Sequence, residues 1–597
     1  MKKIFTGNEA VARGAYEAGV VFASAYPGTP STEILENIGQ HKEIIAEWAS
    51  NEKVALEAVI GASIAGGRSL ASMKHVGVNV AADPLFTFAY TGVTAGSVLV
   101  TADEPGMHSS QNEQDNRNYA KFAKIPMMEP SNSQEAKDMI VDAFDISEEF
   151  DTPLLYRMTT RVCHSKSIVE LGERKEKELI PYKKNFAKYV SVPAIGRQLR
   201  HSVEKRLQLL AEYSEKSKWN RIVDNQSKIG VISSGIAFEY SKEAFGEEAD
   251  YLKLGFTNPL PSKMVSDFCD QHDKIYIVEE NDPYIEDFLK ILGKKCYGKD
   301  IFPYTGEMTP DVIRRAVLQQ DMELIVPNQD LVVNRPPTFC SGCPHRGFFY
   351  ELGKKRKKII VAGDIGCYSL AVGEPYNLMD WLICMGAAFS SGHGAQSVIN
   401  LNQNDDRRLV SIMGDSTFFH TGINSLINTI YNNGKTINVI LDNRITGMTG
   451  QQDNPGSGYK LQGEENTPMD IEAIVKAIGI KHVRRINPND LELVKQTINW
   501  ALDLDAASVI ITDWPCVLKK KYKSEDLEHY TNAWKTKDKV LQDKCVGCKA
   551  CLRSGCPSLI FDPEKKKTSI DEVTCVGCDV CLQICPYDAI VKDEKYA

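Results

Sequence analysis

Eight of the sixteen cysteines in the 597 residues fall between Cys545 and Cys585. Disulfides explain them poorly. The opening MKKIFTGNEAVARG has no apolar run long enough for a signal peptide, and thiols in a cytoplasmic setting, the expected one here, stay reduced. Metal ligation is the first alternative. Cys545, Cys548 and Cys551 are followed by Cys556 and Pro557, while Cys575, Cys578 and Cys581 are followed by Cys585 and Pro586. Three thiolates crowded in this way can wrap one corner of an iron–sulfur cubane. Zinc is better served by paired C-x2-C knuckles set far apart.

The spacing matches the two-cluster ferredoxin pattern, in which the cysteine before proline reaches across to the other cluster. On that logic Cys545, Cys548, Cys551 and Cys585 hold one [4Fe–4S] cluster, and Cys575, Cys578, Cys581 and Cys556 hold the second. The first run has four residues before its last cysteine, where the usual pattern has three. That alters the loop and leaves the ligand count unchanged. Adjacent clusters of this kind carry electrons. Far upstream, FCSGCPHRG supplies Cys340 and Cys343, GDIGCYS supplies Cys367 and ITDWPCV supplies Cys516. Spacing alone permits iron or zinc there, and Cys367 and Cys516 could instead be buried inert thiols. Cys163, Cys269, Cys296 and Cys384 have no partners at ligand spacing and read as buried or free thiols.

A second constellation is rich in oxygen. RLVSIMGD ends on Gly414 and Asp415, with Ser416 next, and TINVILDN ends on Asp442 and Asn443, twenty-eight residues after Asp415. One helical crossover between parallel strands fits that separation, so both side chains are expected at the carboxyl edge of one sheet, where ligands bind in open α/β folds. Magnesium takes several oxygen ligands and bridges diphosphate oxygens. Asp415, Asn443 and the carbonyl of Ile445 would supply them, and a helix beginning near Phe418 would aim free amides at a diphosphate. Taken alone, the same residues could be an ordinary sheet edge.

These groups must be carried by several domains, and 43% hydrophobic residues allow several separate cores. Residues 1–165 alternate strands such as GVVFASAYP and SVLVTAD with small-residue helices such as VALEAVIGASIAGGRSLASM, which indicates a parallel α/β domain. Residues 166–226 turn charged and helical and read as a connector without strands. KIGVISSG, YLKLG and KIYIVEE mark a smaller α/β domain over 227–326, followed by a linker, VPNQDLVVNRPP. A third α/β domain spans 338–535, with strands at KKIIVAGD, RLVSIMGD, TINVILDN and ASVIITDWP, and the cysteine cassette occupies 540–597. The net charge of −9 provides no broad basic field for nucleic acid, and no stretch approaches a membrane span. Lys519, Lys520, Lys521 and Lys523 read as a solvated or docking patch.

Four further segments complete the reading: FTGNEAVARG, YPGTPSTEIL, MKHVGVNVAADP and FCSGCPHRG. With the cassette and the Asp415 region, they resemble the large subunits of indolepyruvate:ferredoxin oxidoreductases, the aryl-pyruvate branch of the 2-oxoacid:ferredoxin oxidoreductases. Here GDS and DN stand where the thiamine-diphosphate motif usually has GDG and an asparagine pair. The resemblance implies two thiamine-diphosphate-binding parallel-sheet domains (1–165 and 338–535), a transketolase C-terminal-like α/β domain (227–326) and a ferredoxin-like α+β domain. SNEKVALEAVIGASIAGG puts Glu52 in the role of activating the aminopyrimidine of the cofactor, with Glu47 and Glu57 as competitors. Thr29 in AYPGTPSTEI becomes a candidate for holding the substrate carboxylate or keto oxygen, although the segment is equally a turn capped by Ser31 or Thr32. Arg117 is a weaker candidate for that carboxylate, and a surface arginine is the alternative. Cys340, Cys343, Cys367 and Cys516 become ligands of a third [4Fe–4S] cluster.

The implied reaction is coenzyme A-dependent oxidative decarboxylation of indolepyruvate or phenylpyruvate to the aryl-acetyl-CoA and CO2, with ferredoxin reduced. Thiamine diphosphate, Mg2+ and three clusters would serve it, and a small β subunit would complete an α2β2 heterotetramer. The alternatives are another 2-oxoacid:ferredoxin oxidoreductase or a non-oxidative thiamine-dependent decarboxylase.

Overall fold

The computed structural model describes residues 1–319, 328–333, 336–401, 405–521 and 536–596, in two compact units, Met1–Val326 and Pro327–Ala597. Parts of the expected linker (326–337), the ends of the segments 227–326 and 338–535, and Lys523 lie outside the described residues.

The first unit contains, in chain order, β1 (Lys2–Thr6), β2 (Phe22–Ala25), β3 (Ile45–Trp48), β4 (Ser69–Lys74), β5 (Ser97–Asp103), β6 (Met127–Met128), β7 (Leu154–Thr159), β8 (Lys166–Glu170), β9 (Arg221–Val223), β10 (Ile229–Ser234), β11 (Asp250–Leu254), β12 (Phe256–Asn258) and β13 (Lys274–Val278). Seven of them form a sheet in the order β12-β6-β7-β5-β4-β2-β3. All its pairings are parallel except that of β12 with β6. Every residue of β5 and β7 is buried, as expected for strands covered on both faces. A second sheet runs β13-β10-β11-β9.

Two features depart from the sequence reading. The strand β12 belongs by sequence to the segment 227–326 yet completes the sheet of the first segment, and one apolar core joins Leu56, Val59 and Leu99 to Ile232, Leu252 and Phe268. The supposed strandless connector supplies β8, which pairs antiparallel with β1 from Lys166 to Glu170, and β9 at a sheet edge. Both are short and half exposed, so neither leaves a continuous apolar run to read.

Four helices position the carboxyl edge of the first sheet. The helix α1 (Gly7–Glu17) starts on a capping box, in which the Glu9 N–H donates to Thr6 Oγ1 (3.1 Å) and the Thr6 N–H donates to Glu9 Oε2 (2.7 Å). Next come α2 (Thr32–Ile38), α3 (Glu52–Ile64) and α4 (His75–Val80). The helix read in VALEAVIGASIAGGRSLASM ends at Ile64, and SLASM forms most of β4. Gly66 makes the break, with φ +95° and so close an approach to the Ile180 carbonyl that a Cβ would lie 1.9 Å from its oxygen.

The second unit carries a fully parallel sheet, β14 (Ile359–Ala362), β15 (Arg408–Gly414), β16 (Ile437–Asp442), β17 (His482–Ile486) and β18 (Ser508–Asp513), in the order β14-β15-β16-β18-β17. The strand β17, HVRRI, escaped the sequence reading because an edge strand exposes charged residues. Helical turns follow β15 without a break: Asp415–Thr417, a π-helical turn at Phe418–Gly422, then Ile423–Tyr431. The helix thus begins at Asp415, three residues before the expected Phe418. The cassette folds as two antiparallel ribbons, β19 (Asp538–Val540) with β22 (Ile590–Lys592) and β20 (Leu559–Asp562) with β21 (Lys567–Ile570), plus a short helix at Val580–Ile584. Among the described residues no helix is long and apolar enough to cross a membrane.

Candidate active site

In the first unit, the loops after β2, β3 and β4 share one sheet edge, because these strands are neighbours and parallel. Glu52 opens α3 under the cap of Asn51, whose side chain accepts from the Val54 N–H (2.9 Å). Its side chain is 8% exposed. Gly77 of α4 lies against it, and a Cβ there would meet Glu52 Cγ at 2.7 Å and Oε1 at 2.9 Å. Of the two competitors, Glu47 is exposed on the edge strand β3, and Glu57 is exposed and paired with Lys53 (2.8 Å). Thr29 is half-buried in the turn between β2 and α2. Thr32 braces that turn by accepting the Gly28 N–H at Oγ1 (3.0 Å), while Ser31 donates to the Gly28 carbonyl (2.9 Å) and does not cap through its side chain.

Arg117 is neither at the surface nor available to a substrate. It is 1% exposed. Its Nε donates to Asp115 (2.9 Å), its Nη1 to Glu279 (2.7 Å), and its Nη2 to Asp115 (2.6 Å) and to the carbonyls of Glu280 (2.8 Å) and Asp282 (3.0 Å). With its fork spent on these groups, Arg117 clamps the segment after β13 to the first sheet and has no pair of donors left for a carboxylate. Lys519 needs a similar correction: it is 5% exposed and donates to the carbonyls of Arg444 (3.2 Å) and Ser457 (3.1 Å), while Lys520 and Lys521 of the same run face solvent.

In the second unit, Gly414 pairs with Leu441, which sets Asp415 and Asn443 side by side beyond β15 and β16. Tyr368 lies against Gly414, where a Cβ would fall 2.8 Å from its ring. Asp415 is buried and accepts from Asn454 Nδ2 (2.9 Å). Burial raises its pKa to about 6, against the pull of Asn454 and Lys519. Asp442 is driven up to about 8 by burial and then by Asp415 and Asp513. Two buried carboxylates so placed favour a cation beside them. Asn443 Oδ1 accepts from the Ile445 N–H (3.2 Å), and Ser416 Oγ sits 2.9 Å from Thr446 Oγ1, so the two strand-end loops are laced together. The donor set of Asp415, Asn443 and Ile445 suits magnesium.

His345, unassigned by sequence reasoning, lies at this edge. Its Nε2 is 3.5 Å from Asn443 Nδ2. Burial lowers its pKa to about 4, so the ring is neutral, its Nε2 accepts from the asparagine, and Nδ1 is left as a buried N–H with no partner among the described residues. Its position inside FCSGCPHRG was the only available signal.

The cysteines gather in three places. One small pocket is lined by Cys545, Cys548, Cys551 and Cys585, and another by Cys556, Cys575, Cys578 and Cys581. In each, the cysteine before proline comes from the other run. Cys340, Cys343, Cys367 and Cys516 lie near one another at the Asp415 edge. Gly447 borders both Cys367 and Asn443, since a Cβ there would lie 3.3 Å from Cys367 Sγ and 3.9 Å from Asn443 Nδ2. The Cys516 N–H donates to the Asn443 carbonyl (3.0 Å). Burial and then the thiols of Cys516 and Cys340 push Cys367 up to about 12, and Cys343 is likewise raised by burial, with Cys367 and Cys516 adding to it. In the C-x2-C pairs, Gly342, Gly547 and Gly577 precede the second cysteine at φ +70°, +69° and +65°. The internal loop therefore repeats the terminal ones. Among the described residues no three His, Cys, Asp or Glu side chains converge on the spacing of a single metal ion. Cys163 and Cys269 are buried, Cys296 is half-buried and Cys384 is exposed, all as free thiols.

Comparison with known proteins agrees with this layout. Residues 13–208 match the thiamine-diphosphate-binding family of pyruvate flavodoxin/ferredoxin oxidoreductases, residues 364–512 the C-terminal TPP-binding domain of thiamine pyrophosphate enzymes, and residues 544–589 the 4Fe-4S dicluster domain. The indolepyruvate oxidoreductase subunit IorA of Archaeoglobus fulgidus is 39% identical over 99% of this chain and 97% of its own. The corresponding subunits of Methanothermobacter marburgensis and Pyrococcus abyssi are 39% and 37% identical, each over 99% of this chain and 97% and 96% of theirs. With thiamine-binding and dicluster domains in one chain and relatives of this identity along its length, the chain belongs to the indolepyruvate oxidoreductase IorA family, thiamine-dependent iron–sulfur enzymes of the 2-oxoacid:ferredoxin oxidoreductase superfamily.

Proposed function

We propose that this chain catalyses the coenzyme A-dependent oxidative decarboxylation of aryl pyruvates, indolepyruvate and phenylpyruvate among them, to aryl-acetyl-CoA and CO2, with electrons delivered to ferredoxin. The observation that carries the oxidative reading is the meeting of Cys367 and Cys516 with Asn443 at one sheet edge, next to Asp415. Thiamine diphosphate, when bound, supplies the carbon nucleophile that lets a 2-oxoacid lose CO2, and iron–sulfur clusters supply one-electron acceptors. Asp415, Asn443 and the Ile445 carbonyl would hold Mg2+, which would help bind the cofactor, with Gly414 and Ser416 shaping the entry to the helix. Glu52 would hold or take up a proton at the cofactor's aminopyrimidine ring, its carboxyl steadied by Gly77. Thr29 is kept as a contact for the substrate carboxylate or keto oxygen.

Cys340, Cys343, Cys367 and Cys516 hold the first acceptor. Cys556, Cys575, Cys578 and Cys581 hold the second, and Cys545, Cys548, Cys551 and Cys585 the third. The internal loop sets this order, because Ser341 and Gly342 line the same cavity as Cys556 and Cys578. A small β subunit, in an α2β2 assembly, completes the enzyme, as the word "subunit" in the relatives' names suggests.

The substrate assignment is tested by anaerobic turnover of the chain with its partner, coenzyme A and ferredoxin against a panel of 2-oxoacids. An aromatic side chain offers far more apolar area than a methyl group, so kcat/KM for indolepyruvate should exceed that for pyruvate by the equivalent of ~2–4 kcal/mol. Equal efficiency on pyruvate would overturn the aryl assignment. Turnover without any electron acceptor would point instead to a non-oxidative decarboxylase.

A further inference from the structure

Arg346 is among the largest fully buried side chains of the second unit, at 1% exposure. Its Nη1 donates to the Ser554 carbonyl (2.6 Å) and to Tyr376 Oη (3.3 Å), and its Nη2 to the carbonyls of Phe339 (2.8 Å) and Cys340 (2.9 Å). These partners belong to two different cysteine loops. Phe339 and Cys340 begin the internal C-x2-C loop, while Ser554 stands two residues before Cys556. Gly555 makes room between them, since a Cβ there would lie 3.4 Å from Arg346 Nη1. The loops also touch directly: Ser558 donates to Ser341 Oγ (2.7 Å), and a Cβ on Gly342 would run into Val576 at 2.1 Å.

Among the described residues every hydrogen-bond partner of this guanidinium is a neutral oxygen, and its Nε has none. A buried cation without a carboxylate is costly unless another negative charge lies near. The groups at hand that can supply it are the cysteines of the two loops it bridges, once they bind iron as thiolates. A cluster held by four thiolates is an anion, and it gains a further negative charge when reduced.

We infer that Arg346 is a positioning residue between the internal and the adjoining terminal cluster, where its fixed charge stabilises their reduced forms and its fork holds the two cysteine loops at one spacing. The inference rests on the cluster assignments proposed above. A buried positive charge between two acceptors raises both reduction potentials and leaves the more distant third one nearly unmoved.

The test is a redox titration of the reconstituted holoenzyme, followed by electron paramagnetic resonance of each cluster. In Arg346→Gln the midpoints of the internal cluster and the Cys556–Cys578 cluster should both move to more negative values, with the Cys545–Cys585 cluster unshifted. Arg346→Lys, which keeps the charge, should stay near the wild-type midpoints. Unmoved midpoints in the glutamine variant, or an equal shift of all three, would overturn the inference. If the glutamine variant fails to retain iron, the lysine variant decides: iron and midpoints kept by lysine support the charge, and iron lost there too shows a need for the shape of arginine only. Failure of the underlying assignments would look different, because wild-type enzyme would then hold about eight irons per chain and not about twelve, three cubanes of four.

Discussion

Glu52 and Gly77 form a pair whose halves come from different helices, and the contact constrains both. A carboxyl pinned against the backbone of α4 has few rotamers, so the residue proposed to touch the cofactor ring need not be ordered on binding. Glu52→Gln should therefore keep thiamine diphosphate, since the proposed magnesium ligands are in the second unit, and slow exchange of the cofactor C2 proton by ~10²–10⁴-fold. Gly77→Ala should slow the same exchange without touching the carboxyl chemically, because the added methyl displaces Glu52. Nuclear magnetic resonance of C2 deuteration in the holoenzyme measures both. Normal exchange in the glutamine variant would move the role to Glu47 or Glu57. At this scale the sequence indicated placement wherever a residue type is tied to a short motif, as for the grouping of the terminal cysteines and the setting of Asp415 and Asn443 at one sheet edge. It was silent on partners distant in the chain. Nothing around Arg117 announces that Glu279 and the Asp282 carbonyl will consume its donors, and a run of lysines gives no hint that Lys519 alone turns inward to cap the Arg444 and Ser457 carbonyls.

Elements were legible in proportion to their burial. The buried strands β5, β10, β15, β16 and β18 read directly as apolar runs, while β8, β9 and β17, half exposed and charged, did not. The boundary of α3 was misread because SLASM is made of small residues with little strand preference, although a covered sheet accepts them. Gly66 makes that boundary physically. Gly66→Ala combines a left-handed backbone with a methyl against the Ile180 carbonyl and should cost about 2–4 kcal/mol, read as an earlier unfolding midpoint in urea. Gly61, inside α3 with nothing within 4 Å of a built Cβ, provides the contrast. Gly61→Ala should stabilise by about 0.5–1 kcal/mol, as alanine does in a helix interior. If both changes proved neutral, the helix end would be fixed by packing elsewhere.

Over the whole chain, the proposed roles make decarboxylation and electron removal separable, with Asp415 and Asn443 assigned to the first and the internal thiols to the second. Cys516 is the residue that divides them. It hangs from β18 and is tied by its backbone N–H to the carbonyl of Asn443, so its replacement by alanine leaves that hydrogen bond and the proposed magnesium donors in place. The terminal cavities draw their cysteines only from 545–585 and do not need it. Cys516→Ala should thus bind thiamine diphosphate as the wild type does, release CO2 from a single equivalent of 2-oxoacid, and fail to pass electrons to ferredoxin. Its iron content should drop by about four atoms per chain, one cubane, while the resonance signals of the two terminal clusters persist. Aldehyde should replace aryl-acetyl-CoA as the organic product, because protonation is the route left to a decarboxylated substrate that cannot be oxidised. Unchanged iron with normal coenzyme A-dependent ferredoxin reduction would show that Cys516 is a buried thiol and that the first acceptor lies elsewhere.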